Sequence, residues 1–547
     1  MVPSGRFWEK SYPPEISADF VPSHISLGDM FVQLVTEHGP GIAIDYFDHE
    51  ISYTELGRQA ARVANALRRD GIGSGDTVAL YLPNTPFHPF FFFGALLTGA
   101  RVTHLSPLDA KRELDYKIRD SGAKTLVTLA SSPFSDMSDR LCDTGDITKA
   151  ILCDDAVYGG MRGNEAEHEK AVSFSDFIEN TSDELIATKV DPNEIALLQY
   201  TGGTTGHPKA AILTNANLVA SSEMYAYWAT SFENDGKNAI VLTIAPMFHI
   251  MGLVAGLFRR IKLGSKMVLR QRFDLEQAIN DIEQKRITGF GGVPTIWIAM
   301  LNYPGIEEKD LSSLANIGYG GAPMPPEVFL DVKKLTGLSL GGGWGMTETG
   351  SAGTSQPPEF PLSKAHSVGL PLPGLEIEIV SVDDPTRKLP FGETGEMRVK
   401  GPNITTGYWN NPEETERSFV DGWLLTGDIG WMDEDGYLYL VDRKKDLILS
   451  GGYNVYPQVI ENAILEHPGV AEVLVIGVPD VYRGESAKAY IILKKDAAEF
   501  DITELRDFLS DKLGKHELPK HLEFRTDLPK TAVGKYSRKL LRDQELK

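Results

Sequence analysis

The segment Thr201-Gly202-Gly203-Thr204-Thr205-Gly206-His207-Pro208-Lys209 contains residue types that suit phosphate binding. Glycines let backbone amides approach a phosphate without a Cβ atom in the way. Threonine hydroxyls can donate to phosphate oxygens, and Lys209 can add a point charge. Surface turns often have a similar composition, but the apolar stretch 195–200 leads straight into this one. The pattern therefore predicts a phosphate-binding loop at the end of a strand.

Two other phosphate loops do not fit this segment. A P-loop needs G-x-x-x-x-G-K-[S/T], but Pro208-Lys209-Ala210 follows Gly206. A protein kinase loop needs H-R-D and D-F-G companions, which the sequence lacks. A phosphotransferase is therefore disfavoured.

The segment resembles the phosphate loop of the adenylate-forming superfamily, which includes acyl-CoA synthetases, peptide-synthetase adenylation domains and firefly luciferase. Ala210 stands where the family usually has glycine. Further segments resemble the family's remaining motifs, in the family's order: 245–250, 319–323, 343–349, 423–428, 442–446, 450–457 and 529–535. The chain is identified as a member from about residue 51 to its end, and it looks most similar to bacterial fatty-acyl-CoA or dicarboxylate-CoA ligases.

The resemblance implies a nucleotide site for ATP and AMP. Its residues would be Thr201, Gly202, Gly203, Thr204, Thr205, Lys209, Gly320, Gly321, Ala322, Trp344, Gly345, Met346, Thr347, Asp428, Arg443 and Lys535. Trp344 replaces the family's tyrosine and offers adenine a larger π face. Thr347 would contact the α-phosphate, and Asp428 would accept hydrogen bonds from the ribose hydroxyls. Arg443 would contact ribose or phosphate.

The resemblance also implies the reacting groups. The catalytic residues would be Lys535, Thr201, His249 and Glu348, with Mg²⁺ held by Thr201 and Glu348. The acyl pocket would include Met247, Phe248, His249, Val293 and Tyr319. Coenzyme A would approach Gly451, Gly452 and Tyr453, and Lys445 would be the hinge.

The implied activity is a two-step ligation. A carboxylate attacks the α-phosphorus of ATP to give acyl-AMP and pyrophosphate, and the thiol of coenzyme A then displaces AMP. The C-terminal domain would rotate about Lys445 between the steps, which removes Lys535 from the site. A medium- or long-chain fatty acid is favoured, and a dicarboxylate or aryl acid stays open. An acyl-AMP ligase that loads a carrier protein, a luciferase-like oxidative enzyme and a non-catalytic nucleotide-binding scaffold stay open too.

The elements that must position these residues alternate between strands and helices. Apolar strand patterns at 78–82, 124–129 and 239–244 predict βαβ units and largely parallel sheets. We therefore expect an α/β fold whose large N-terminal domain has two α/β-sheet subdomains and a small β-barrel subdomain. The predicted domains are 1–441 for adenylation, a hinge at 442–446 and a mobile α+β domain at 447–547.

Composition restricts partners and compartment. The net charge of −22 and pI of about 5.0 argue against general binding of nucleic acid or anionic membranes. Only two cysteines occur, and the N-terminus has no signal-peptide pattern, so we expect a cytoplasmic protein. The apolar stretch 90–97 is too short to cross a bilayer and predicts a buried helix. We expect a monomer or homodimer.

Overall fold

The structure is a computed structural model. It describes residues 5–17, 19–163, 168–201, 208–232, 235–320, 324, 326–450, 453–531 and 536–545. The chain forms two compact units: the larger has Trp8–Glu376 and Lys400–Gly422, and the smaller has the described residues of Met1–Phe7, Ile377–Val399 and Trp423–Lys547. The predicted hinge at 442–446 lies inside the smaller unit, and its role as a domain boundary stays a prediction.

A seven-stranded sheet in the larger unit holds the strand that leads into the glycine and threonine loop. Its strands, in spatial order, are Ala171–Ser173, Lys149–Cys153, Thr125–Leu129, Thr77–Tyr81, Arg101–His104, Ile195–Thr201 and Lys209–Thr214. All neighbours are parallel except the last pair, which is antiparallel. The predicted βαβ arrangement is confirmed here.

A nine-stranded sheet in the same unit holds the other predicted pocket segments. Its strands, in spatial order, are Leu370–Pro371, Thr354–Ser355, Gly341–Trp344, Asn316–Tyr319, Gly289–Gly292, Ile240–Thr243, Lys266–Leu269, Ile42–Tyr46 and His49–Ser52. The strands from Gly341–Trp344 to Ile42–Tyr46 pair in parallel. Parallel strands end at one edge of a sheet, which brings the loops after Gly292, Tyr319 and Trp344 together.

Helices cover both sheets of the larger unit. They are Leu27–His38, Tyr53–Arg69, Phe87–Thr98, Lys111–Ser121, Phe134–Cys142, Phe174–Phe177, Asn215–Ala229, Arg259–Leu263, Leu275–Gln284, Pro294–Leu301, Pro326–Thr336 and Pro412–Ser418, with a π-helix at Gly252–Phe258. Every residue of Phe87–Thr98 is buried, which confirms the prediction of a buried helix. Ser52 caps Tyr53–Arg69, since its hydroxyl accepts from Glu55 N. Among the described helices, none is both long and apolar enough to cross a membrane.

The smaller unit has two groups of paired strands. One contains Glu376–Val380, Gly395–Lys400, Trp423–Met432 and Leu438–Arg443. The other contains Tyr453–Val455, Ile448–Ser450, Gly484–Leu493, Val470–Asp480 and His521–Phe524. Helices Pro457–Leu465, Ile502–Leu509 and Arg538–Glu545 complete the C-terminal part, and the short strand Phe419–Val420 belongs to the larger unit. The predicted α/β class with a C-terminal α+β portion is confirmed.

Candidate active site

The two ends of the glycine and threonine loop are neighbours in the seven-stranded sheet. Thr201 ends one strand, Lys209 begins the next, and the two residues are register partners. The Thr201 hydroxyl lies 3.5 Å from the Lys209 carbonyl oxygen, which accepts its hydrogen bond. This pairing closes the base of the loop at the carboxyl end of a strand, where phosphate loops occur in α/β proteins.

Lys209 lies between an acid and an aromatic ring. Its Nζ donates to Glu414 Oε1 at 2.6 Å and lies 4.0 Å from the centre of the Tyr408 ring. Burial raises the pKa of Glu414, but the hydrogen bond and charge of Lys209, together with Arg417, outweigh it and lower the net pKa. A phosphate at the loop would therefore compete with Glu414 for the ammonium group.

Tyr408 connects this lysine to the predicted metal ligand. Its hydroxyl donates to Glu348 Oε1 at 2.8 Å, and the Glu348 side chain is buried. Burial raises the pKa of Tyr408 far above its usual value, and the Glu348 charge adds to the increase. The phenol thus stays protonated and keeps donating to the carboxylate. The structure brings Thr201, Lys209 and Glu348 into one connected site.

A tight turn presents Glu348 after the strand Gly341–Trp344. A Cβ atom at Gly345 would lie 1.8 Å from the Ser351 carbonyl oxygen, so only glycine fits there. Ser351 N donates to Met346 O at 3.0 Å. Asn403 Nδ2 donates to the carbonyl oxygens of Thr349 and Ala352, at 2.8 and 2.7 Å. The turn holds Thr347 and Glu348 on a short 3₁₀ helix, Thr347–Thr349.

The donor set at Glu348 fits a magnesium ion that is mainly held by a nucleotide. Mg²⁺ prefers carboxylate and phosphate oxygens and often keeps only one or two protein carboxylates. The described residues contain no group of three or more histidine, cysteine, aspartate or glutamate side chains that could hold a metal alone. One oriented carboxylate, linked through Tyr408 to Lys209 of the predicted phosphate loop, matches the nucleotide-dependent kind of site.

The segment that carries His249 is fixed by two side chains from other elements. Asn84 accepts from Met247 N at 2.7 Å and donates to Ala245 O at 3.0 Å. Gln199, on the strand that ends at Thr201, donates through Nε2 to Phe248 O at 3.0 Å. The structure thereby ties the predicted acyl segment to the strand of the predicted phosphate loop.

The His249 ring has a defined orientation. Met251 N donates to His249 Nδ1 at 3.3 Å, so the neutral ring carries its proton on Nε2. His249 N donates to Pro246 O at 3.0 Å, and the π-helix Gly252–Phe258 begins three residues after His249. π-Helical turns often occur at functional sites, because they displace a side chain from the regular helical position.

The other predicted pocket residues have different environments. Met247 is fully buried in the hydrophobic core of the larger unit. Tyr319 ends a strand, and burial raises its pKa to about 12. Gly320 N donates to Gly292 O at 3.2 Å. Val293, which follows Gly292, directly precedes the helix Pro294–Leu301. Trp344 is buried at the end of its strand, against Gly353.

In the smaller unit, Asp428 and Arg443 are paired. They are register partners on adjacent antiparallel strands, and Arg443 Nε lies 2.5 Å from Asp428 Oδ1. The Asp428 side chain is buried, whereas that of Arg443 is half exposed. The ion pair holds the carboxylate, which lies within the strand Trp423–Met432, in an orientation in which it could accept from a ribose.

The predicted hinge segment contacts the C-terminal helix through Arg538 and Arg542, and Arg542 pairs with Asp446. Arg538 donates to Asp442 Oδ1 at 3.0 Å and to Glu461 Oε2 at 2.7 Å, and its Nη1 lies 3.6 Å from Asp446. Lys445 itself is exposed. Tyr453 is also exposed, on the strand Tyr453–Val455, and its ring lies against His516.

Several predicted residues lie outside the part of the chain that the structure describes. They are Gly202, Gly203, Thr204, Thr205, Gly321, Ala322, Gly451, Gly452 and Lys535. Their predicted roles in phosphate binding, adenine binding, coenzyme A binding and catalysis stay predictions.

Comparison with known proteins gives the family. The family model for AMP-binding enzymes matches residues 33–409, and that for their C-terminal domain matches residues 459–535. The chain belongs to the AMP-binding enzyme family. This confirms the superfamily that the motifs predicted.

Individual members of the family resemble this chain over nearly its whole length. A long-chain-fatty-acid–CoA ligase of Bacillus subtilis strain 168 is 36% identical, over 99% of this chain and 98% of its own. A feruloyl-CoA synthase of Amycolatopsis sp. is 33% identical, over 89% of this chain and 92% of its own. The crystal structure of ATP-bound MatB from Rhodopseudomonas palustris has a TM-score of 0.84 and 28% identity, and covers 94% of this chain and 98% of that one.

Sequence reasoning missed Tyr408, Glu414, Asn84 and Gln199. Each acts by a contact between residues far apart in the chain, such as Lys209 with Glu414 across 205 positions. Nothing in the spacing pointed to the acid that pairs with Lys209.

Proposed function

We propose that this protein is a long-chain fatty-acid–CoA ligase that forms an acyl-AMP intermediate. The observation that supports the proposal best is the full-length similarity to the Bacillus subtilis ligase. The relatives and the family match confirm the prediction of an AMP-forming acyl-CoA synthetase that uses ATP, Mg²⁺ and coenzyme A. The chain length of the acid is the finer part of the proposal.

The site residues suggest how the first step is catalysed. In the attack on the α-phosphorus, negative charge gathers on phosphate oxygens, and preorganised donors and cations stabilise it. Thr201 and Lys209 lie at the base of the loop, and Tyr408 orients Glu348. A magnesium ion held by Glu348 would add positive charge at the phosphates. Lys535 would contribute a further charge in this step.

The carboxylate would approach from the His249 side. With Nδ1 accepting from Met251 N, the ring presents Nε2–H as a donor. A donor at this point would orient the carboxylate oxygens without removing a proton, which suits a reaction that needs little acid–base chemistry. The apolar side chains around it suit an alkyl chain.

A substrate panel tests the acid. ATP-dependent pyrophosphate release is measured with acetate, octanoate, palmitate, pimelate and benzoate. The expected result is the highest kcat/KM with palmitate. The highest value with benzoate would instead support an aryl-acid ligase, the class to which the Amycolatopsis feruloyl-CoA synthase belongs. No release with any acid would support a non-catalytic scaffold.

The acyl acceptor needs its own assay. Thioester formation from the best acid is followed with and without coenzyme A. Release of acyl-AMP without thioester would favour transfer to a carrier protein.

We further propose a cytoplasmic location and a monomer or homodimer. Both cysteines, Cys142 and Cys153, are free and buried, which supports a reducing compartment. Light scattering of the purified protein measures the oligomeric state.

A further inference from the structure

Two buried histidines are linked through Gln199 to the segment that carries His249. His88, on the helix Phe87–Thr98, and His104, at the end of the strand Arg101–His104, have their Nε2 atoms 3.1 Å apart. His104 Nδ1 lies 2.9 Å from Gln199 Oε1. All three side chains are almost fully buried. The proposed catalytic steps give them no role.

The hydrogen atoms in this series have only one consistent arrangement. Phe248 O can only accept, so Gln199 turns Nε2 to it and Oε1 to His104. His104 Nδ1 must then carry a proton and donate to Oε1. A neutral His104 has a lone pair on Nε2, which accepts from His88 Nε2–H. The hydrogen bonds therefore all run in one direction, from His88 to Phe248.

The environment keeps both rings neutral, as this arrangement needs. Burial lowers the pKa of His104 to about 4, and burial and the neighbouring His104 lower the pKa of His88 well below its usual value. The Phe92 ring stacks on His88 at 6.1 Å and lies 5.7 Å from His104. Charging one ring would bury a positive charge among aromatic side chains, and charging both would leave two N–H donors facing each other.

We propose that His104, held by His88, is a positioning residue that fixes Gln199 and thereby the Phe248–His249 backbone relative to the phosphate-loop strand. Gln199 is two residues before Thr201, and Phe248 is one residue before His249. A hydrogen bond between them sets the distance between the carboxylate site and the phosphate site. This inference rests on the proposed role of His249 at the carboxylate.

The test compares two substitutions of one side chain. His104→Leu removes the donor to Gln199, whereas His104→Asn keeps an N–H donor near the position of Nδ1. ATP–pyrophosphate exchange with the best acid is measured at varied acid and at varied ATP. His104→Leu is expected to lower kcat/KM for the acid by about tenfold, the loss of one oriented hydrogen bond, with KM for ATP unchanged. His104→Asn is expected to retain most of the activity.

Two controls separate the possible failures. Equal losses in both His104 variants, with equal falls in melting temperature, would mean that the pair is only structural and would overturn the proposal. If His104→Leu does not fold, Gln199→Glu replaces it, because a carboxylate cannot donate to Phe248 O. His249→Ala tests the proposed site itself: no change in kcat/KM for the acid would reject the role of His249. A loss in His249→Ala without one in His104→Leu would reject only the positioning role.

Discussion

At the scale of single residues, Tyr408 contacts two predicted site residues through different parts of its side chain. Its hydroxyl holds Glu348, and its ring lies under Lys209. The hydroxyl and the ring can be separated experimentally, because phenylalanine keeps the ring and loses only the donor.

Tyr408→Phe is expected to reduce the adenylation rate while the protein stays folded. A hydrogen bond to a charged group is worth about 1.5–3 kcal/mol, so kcat should fall by roughly ten- to a hundredfold. Pyrophosphate release at varied Mg²⁺ measures the effect, and the Mg²⁺ concentration for half-maximal rate should rise. Glu348→Gln is the reference, with a larger loss. An unchanged Mg²⁺ dependence in Tyr408→Phe would contradict the role of the hydroxyl.

Residue types and spacing were enough to predict Thr201 and Lys209 as parts of one loop, because the two lie in a continuous segment. Resemblance supplied Glu348 and Asp428. Neither approach gave the partners Tyr408 and Glu414, since contacts across 60 and 205 positions depend on how strands pair in space.

At the scale of elements, the π-helix Gly252–Phe258 packs tightly against the turn before it. A Cβ atom at Gly252 would lie 2.1 Å from Pro246 O, the atom that accepts from His249 N. Gly256, in the same π-helix, has room, since its Cβ would lie 3.6 Å from Thr243 Cγ2. The two glycines lie in the same π-helix and differ in the room for a Cβ atom, so alanine at Gly256 is a control for alanine at Gly252.

Gly252→Ala is expected to raise KM for the acid, because the added methyl group displaces the turn that carries His249. A loss of about 1–3 kcal/mol in stability should accompany it. Gly256→Ala should leave KM for the acid near the wild-type value. Steady-state kinetics with the best acid, together with thermal unfolding, measure both effects. Equal kinetics in the two variants would contradict this account.

The buried histidine pair predicts how stability depends on pH. The folded-state pKa of His104, about 4, is below its ordinary 6.5, so the unfolded chain binds more protons between these values. The free energy of unfolding should keep its full value above pH 6.5. It should fall as the pH drops towards 4, by about 3 kcal/mol from His104 alone. Urea unfolding at several pH values measures it. His104→Asn should show a smaller change, and an identical profile would contradict the assignment.

Strand positions were predicted well where apolar segments are continuous, as at Ile195–Thr201 and Thr125–Leu129. Strands of a parallel sheet are buried on both faces, so a short continuous apolar segment has few alternatives to such a strand. The π-helix and the histidine pair were not predicted, because a π-turn has no simple sequence period and buried histidines look like ordinary core residues.

At the scale of the whole molecule, Arg538 links three parts of the smaller unit. It contacts Asp442 and Asp446 in the predicted hinge segment and Glu461 on the helix Pro457–Leu465. Its side chain is only 12% exposed, so removing its charge would deprive the buried carboxylates of Asp442 and Glu461 of this cationic partner.

Arg538→Gln is expected to destabilise the smaller unit by about 3–5 kcal/mol. Lys512→Gln, which breaks the more exposed pair with Glu466, should cost no more than about 1 kcal/mol. Thermal unfolding with a probe for each unit measures both, because two units need not unfold in one transition. Equal effects of the two variants would contradict the importance of the Arg538 cluster.

The rotation of the C-terminal domain that the family resemblance implies predicts that Lys535 serves only one half-reaction. Lys535→Ala should abolish acyl-AMP formation, because it removes a charge from the phosphate in the transition state. Thioester formation from supplied acyl-AMP and coenzyme A should be nearly unchanged. Assays of the separated half-reactions measure this. Equal losses in both steps would reject the division of labour.

The series Glu348, Tyr408, Lys209 and Glu414 also has an evolutionary consequence. Each member supplies the hydrogen bond, ring or charge that stabilises the next side chain in the series. A substitution at one position therefore changes which substitutions the next can accept, and the order in which they arise determines which intermediates survive. We expect these four positions to show strong epistasis in a mutational scan, in contrast to the exposed Tyr453.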